Sequence, residues 1–332
     1  MATYVAEALN NPGLFFNTVL YTGNAGTLNV TGVGFEPDWV WIKNRSITAD
    51  WKAFDSVRGA TKALIPNDAV AEITQSGLDS FDSDGFTLGS HVGCNGNDNS
   101  IASWNWKESA TAGFDMVSYT GDGNSARTIA HSLSAVPSFL VYKNIASTDS
   151  WNVQHDGLTS YDYYVRFNST GAQNNDVDVG PTAPTSSVVT VGSHEQQNED
   201  GEAFILYAFA AKQGLSKFGF YTGNGNADGT FVYTGFRPAM VIFKDIDGTN
   251  SWRIGDTKRI DAQGGNGQGI YSFPNTSAVE QDATTRACDY LSNGFKIRHN
   301  DGSMNGSGVT YIYAAFAEAP FVNSNGVPCN AR

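Results

Sequence analysis

Four landmarks recur in one order three times along the chain, so any fold has to accommodate three copies of one unit. Tyr21-Thr22-Gly23 returns as Tyr119-Thr120-Gly121 and as Tyr221-Thr222-Gly223, each followed by a Gly/Asn turn. Pro37, Pro137 and Pro238 then precede apolar runs that end in Lys43, Lys143 and Lys244. Trp51, Trp151 and Trp252 lie eight residues past each lysine, and equivalent landmarks stand 98 to 102 residues apart. Later stretches are looser: Gly85–Ser90 matches Val188–Ser193 and Gly294–Ile297, and each copy closes on an apolar segment (Ile101–Lys107, Ala203–Lys212, Tyr311–Glu318). The units are therefore 15–112, 113–214 and 215–320, flanked by an N-terminal arm, 1–14, and a C-terminal tail, 321–332. The junctions are short, which suits neighbours that abut. The arm and tail have little to bury alone and are expected to dock onto a neighbouring subunit.

Within one copy the pattern is of short strands joined by glycine turns. Trp39-Val40-Trp41-Ile42 is apolar at every position, the signature of a central strand covered on both faces, and Pro37 stands where a strand start tolerates proline. Helical periodicity is weak, with one or two turns at most around Ala60–Leu64 and Asp282–Asp289. The expected fold is all-β: three tandem β-sandwich, jelly-roll-like repeats of about 100 residues each.

Composition removes several functions. The chain of 332 residues carries a net charge of −13, which phosphate backbones repel, so nucleic acid is not an expected partner. The longest apolar run, Ala203–Ala211, is about half a membrane-spanning helix, and membrane insertion is not expected. The N-terminus lacks the basic start and apolar stretch of a signal peptide. Cys94, Cys288 and Cys329 form neither a disulfide framework nor a metal clip.

The recurring residues are those that shape turns and fill cores. Trp39, Trp41 and Trp51 could form a sugar-stacking platform, but a tryptophan at one place in every copy is expected in the core. The three lysines are expected to snorkel over the sheet or pair with a carboxylate. Asp55-x-x-Arg58 and Asp256-x-x-Arg259 recur, with His155 and Leu158 in copy two, which suggests an ion pair bracing a loop. Asp82, Asp84, Asp245 and Asp247 are weak calcium candidates, since no full twelve-residue loop surrounds them and Asp beside Gly is an ordinary turn former. No histidine spacing, nucleophile elbow or phosphate loop is present, so no catalytic residue and no cofactor is assigned and the chain is expected not to be an enzyme.

Gly32–Ser46, together with Phe54–Gly59, Phe81–Ser90 and Trp104-Asn105-Trp106-Lys107, resembles a repeat of about 100 residues common in tail-fibre-like structural proteins of marine tailed bacteriophages. The first copy carries the likeness almost end to end; the other two keep only the landmarks. The resemblance implies a non-enzymatic virion protein, made in the host cytoplasm and assembled without export. Its partners would be other virion proteins, further copies of itself as a homo-oligomer (a trimer favoured), and a host cell-surface glycan. A tail-fibre or receptor-binding component is the expectation, with the non-recurring loops Gly93–Ser100, Gly171–Thr185 and Gly264–Thr276 as host contacts. One rival is a head-decoration or tail-assembly subunit, whose three alike units would sit around a threefold axis. Another is a glycan depolymerase.

Overall fold

The structure is a computed structural model and describes residues 11–259, 267–282 and 288–322. The described residues are all-β, with three one-turn α-helices and one 3-10 turn, Pro12–Leu14. Module 1 contains β1 (Phe16–Thr22), β2 (Leu28–Thr31), β3 (Trp39–Asn44), β4 (Lys52–Asp55), β5 (Lys62–Ala63), β6 (Ile73–Thr74), β7 (Leu78–Asp82), β8 (Gly85–Leu88), helix α1 (Val92–Asn95) and β9 (Ser100–Trp106). One sheet runs β1-β9-β3-β4 and the other β2-β8-β7. The pairing is nested in the jelly-roll manner, first strand with last and second with last but one, all antiparallel.

The same order returns twice. Module 2 has β10 (Phe114–Thr120), β11 (Arg127–Ala130), β12 (Phe139–Asn144), β13 (Asn152–His155), β14 (Tyr163–Arg166), β15 (Asn174–Asn175), β16 (Val188–Val191), helix α2 (Glu195–Asn198) and β17 (Ala203–Phe209). Its sheets are β10-β17-β12-β13-β14-β15 and β11-β16. Module 3 has β18 (Ser216–Thr222), β19 (Phe231–Tyr233), β20 (Phe236–Asp245), β21 (Arg253–Asp256), β22 (Gly267–Gln268), β23 (Ile270–Tyr271), β24 (Gln281–Asp282), β25 (Cys288–Leu291), β26 (Gly294–Ile297), helix α3 (Gly302–Asn305) and β27 (Thr310–Pro320). Its main sheets are β18-β27-β20-β21 and β19-β26-β25-β22.

All six residues of β3 are buried, as are all six of β12, because these strands have a core on each side. The outer side of each module has its own cluster, around Phe54 and Phe86, around Tyr142 and Leu206, and around Phe243 and Phe295. The inner sides share one cluster drawn from all three modules. At its centre the equivalent residues Trp106, Phe209 and Phe316 meet, with ring centroids 5.6 and 5.7 Å apart at the two contacts with Phe316. The modules are therefore fused around a common aromatic core. Tethered beads would each have closed their own.

Three expectations from sequence need correction. Ala60–Leu64 is not helical: Lys62 and Ala63 pair with Thr74 and Ile73, and Thr61 has a φ of 67° that no helix accommodates. In the second proposed helical stretch, Gln281–Asp282 and Cys288–Leu291 are strands, and 283–287 lie outside the described residues. Gly93–Ser100 is no variable loop, since its first turn is α1, which recurs as α2 and α3. Most of the arm (1–10) and of the tail (323–332) also lies outside the described residues; Pro12 of the arm is buried.

Candidate functional site: the joints between modules

The Tyr-Thr-Gly motif is a packing device. Tyr21, Tyr119 and Tyr221 donate their hydroxyls to the carbonyls of Cys94 (2.8 Å), Gln197 (2.6 Å) and Met304 (2.8 Å) in the three helical turns. A Cβ at Gly23, Gly121 or Gly223 would stand 2.2, 1.9 or 2.3 Å from a backbone carbonyl oxygen of the same turn, so only glycine lets the strand end this close. Buried Asn95, Asn198 and Asn305 then tie the turn together. Each carboxamide oxygen accepts the backbone N–H of Asn24, Asp122 or Asn224, and each amide donates to three oxygens of the loop. The sequence reading missed these asparagines. Their signal is an Asn four residues after an N-capping His91, His194 or Asp301.

Lysine and tryptophan landmarks do something different: they cross from one module to another. Trp151 Nε1 donates to Ile65 O of module 1 (2.9 Å), Trp252 Nε1 to Arg166 O of module 2 (2.8 Å), and Trp51 Nε1 to Phe273 O of module 3 (3.0 Å). The lysines follow the same rule. Lys143 reaches Ala69 O (3.1 Å), Lys244 reaches Thr170 O (3.1 Å) and Lys43 reaches Ser277 O (3.2 Å). Module 2 grips module 1, module 3 grips module 2, and module 1 grips module 3, so the three joints close a ring. Each lysine is at most 1% exposed and also donates within its own module, to Ala49 O, Asp149 O or Asp245 O. This corrects the expectation of surface snorkelling or a carboxylate partner. Burial pushes each lysine pKa down to about 8, and the carbonyls supply the acceptors an ammonium needs out of water.

A second contact layer is built on an Asp–Arg pair in two joints only. Asp55 holds Arg58 (Nε to Oδ2, 2.6 Å), and the same oxygen accepts the hydroxyl of Tyr207 from module 2 at 2.6 Å. Asp256 holds Arg259 (2.7 Å) and accepts Trp104 Nε1 from module 1 at 3.1 Å. In the third joint the aspartate position is His155 and the aromatic position is Ala314. His155 Nδ1 accepts Gly157 N–H, so the ring's proton sits on Nε2, which donates to Tyr313 O of module 3 at 3.0 Å. Donor and acceptor are thus replaced together. The sequence reading saw the ion pair but not that it braces a joint.

The other candidates are spent on turns. Asp82 accepts from Ser80 and Thr87, Asp84 from the backbone of Gly32 and Gly34, Asp245 from Asp247 N and Gly248 N, and Asp247 from Thr310 N. Among the described residues no three His, Cys, Asp or Glu side chains group as metal ligands. All seven tryptophans are buried, so none offers a sugar a face. Cys94 and Cys288 are buried thiols, and burial pushes Cys94 up to about 12; Cys329 lies outside the described residues. No helix among the described residues is long and apolar enough to cross a membrane.

A family model described as "Domain of unknown function (DUF7483)" matches residues 11–320. No curated protein and no solved structure matches the chain.

Proposed function

We propose, from the premise that this chain belongs to the DUF7483 family, that it is a non-enzymatic virion structural protein, a tail-fibre or receptor-binding component that holds loops toward the host surface. The observation that carries this reading is where the recurrent polar side chains go. Asn, Lys and Trp at equivalent places in all three modules are buried in turns and joints, and the three equivalent tyrosines, Tyr21 and Tyr119 partly exposed, spend their hydroxyls on backbone carbonyls. What is left for partners is the outer loops. Gly171–Thr185 is the strongest of them: Gln173 N is tied to Ile246 O of module 3 and Val179 is buried, but Val177 is 65% exposed. Of the span 264–276, residues 264–266 lie outside the described residues, and Phe273 belongs to the joint with module 1. Partners in this reading are other virion proteins, further copies of this chain as a homotrimer, and a host glycan. Many weak contacts would multiply through copy number.

The closed ring of three modules favours one second reading, a head-decoration or tail-assembly subunit seated on a threefold position, offering three near-equal faces to three neighbours. Two measurements decide. Purified protein is expected to compete with particles for adsorption to host cells, and replacing Gly171–Thr185 is expected to abolish that competition. Gold-labelled antibody is expected to mark the tail. Labelling of the head without competition would select the second reading, and absence of the protein from particles would overturn both.

A further inference from the structure

Outside the loops, one sheet face of module 3 stands apart from its two counterparts. The second strand of each module has a buried centre, Val30, Ile129 or Val232, flanked by two residues that point to solvent. Those flanks are Asn29 and Thr31 in module 1 and Thr128 and Ala130 in module 2, but Phe231 and Tyr233 in module 3. The two rings are 42% and 54% exposed. Their strand, β19, lies at an edge of its sheet, with β26 as its neighbour there.

The surroundings differ as well. Lys296 stands directly across from Phe231, where modules 1 and 2 have Thr87 and Thr190. It pairs with Asp228 (2.8 Å), and Arg298 pairs with Asp289. Gly294 stands across from Tyr233 and leaves that ring without a cross-strand side chain. Lys217 takes the place of Asn17 and Asp115 in the other modules. Its Nζ donates to Tyr233 O (2.7 Å) and lies 5.4 Å from the ring centroid, which steadies the ring.

Area and charge decide what such a face can hold. The two rings together expose about 200 Å² of aromatic surface, against ~800 Å² per partner in a stable protein interface. A protein packed dry against them would also strip water from both ion pairs, a desolvation cost that so small an apolar contact does not offset. A sugar avoids both obstacles. Its C–H face covers a ring, while its hydroxyls, each donor and acceptor, stand in for water on the ammonium, guanidinium and carboxylates.

We propose that this face binds a neutral glycan of glucose-configured pyranose units, with Phe231 and Tyr233 taking the C–H faces and the Lys296–Asp228 and Arg298–Asp289 pairs the hydroxyls. Positions two apart on a strand are about 7 Å apart, so one oligosaccharide spans both rings. The pairs carry no net charge, so no acidic group on the sugar is called for. Use of the face in attachment rests on the receptor-contact reading above; the binding does not, and the test is made on the purified chain.

Maltohexaose, cellohexaose and chitohexaose are titrated into protein with isotope-labelled Phe and Tyr while the ring C–H signals of Phe231 and Tyr233 are followed. Sorbitol, which has hydroxyls but no pyranose face, is the control. At least one hexasaccharide is expected to shift both signals with saturation, and sorbitol to shift neither. Phe231→Thr and Tyr233→Ala install the residues of module 2 at exposed positions, and circular dichroism checks that the variants fold. Each is expected to weaken binding about two- to tenfold, the range of one aromatic contact, and the double variant to abolish magnetisation transfer to the sugar. Four results would overturn the proposal: no saturable shift with any hexasaccharide, an equal response to sorbitol, undiminished binding by the double variant, or a wild-type chain that self-associates in sedimentation while the double variant does not. Binding by a protein absent from particles would leave the site standing and remove only its role in attachment.

Discussion

Two of the three joints are built on a buried aspartate and the third on a neutral histidine, although the same ring passes through all of them. The Asp55 and Asp256 joints bury an ion pair and hand one carboxylate oxygen to an aromatic donor from the adjacent module. At the third, Ala314 provides no donor, and an aspartate facing it would keep an unfilled lone pair in a dry interface. His155 resolves this by presenting its proton to the Tyr313 carbonyl. At this position of the three joints an acid stands only where both an arginine and a cross-module donor accompany it. Burial pushes the His155 pKa down to about 4, so the ring is neutral near pH 7.

The largest expected effects come from breaking the charged joints. Asp256→Ala leaves Arg259 buried without its main partner and should cost about 3–5 kcal/mol in denaturant unfolding. His155→Ala should cost roughly 1–2 kcal/mol, for packing and one hydrogen bond. Equal costs would erase the distinction between the joints. Next is a transplant: His155→Asp alone should lose about 3 kcal/mol, and adding Leu158→Arg with Ala314→Tyr should recover part of it, read as a higher unfolding midpoint. A triple variant no more stable than the single one would show that the charged design depends on more than these three positions. Tyr207→Phe should cost about 1.5 kcal/mol, since Asp55 keeps Arg58.

The smallest effects are in pH. Each landmark lysine has a folded pKa of about 8 against 10.5 for the free side chain. Between these values the unfolded chain binds more protons, so stability contributed by these groups rises with pH from 8 upward. Above about 9 the buried thiol of Cys94, held at about 12, works in the opposite direction, and the buried tyrosines join it above 10. Thermal unfolding should therefore show a maximum near pH 9, and Lys143→Met should remove about a third of the rise. On the acid side, His155 adds a fall between pH 6.5 and 4, absent in His155→Gln.

Much of each module was legible in the chain. The nested strand order follows from alternating apolar positions and glycine turns, and the double burial of β3 from Trp39-Val40-Trp41-Ile42. The buried tryptophans were expected; their partners were not. Trp151 and Ile65 are 86 residues apart and Trp51 and Phe273 are 222 apart, so no local pattern could have joined them. Asn95 and its equivalents were readable in principle, yet a lone Asn in a polar loop resembles any turn former until its carboxamide is seen at the loop's centre.

The chain by itself determined that three like units exist and that every one is a sheet structure. Periodicity and turn residues act over a few neighbours and need no knowledge of the rest. Only the tertiary structure decided that the units close into a ring around one aromatic core, and that Lys43, Lys143 and Lys244 are hidden fasteners. A lysine's burial depends on which carbonyls arrive from elsewhere to receive its protons, and that is a property of assembled surfaces.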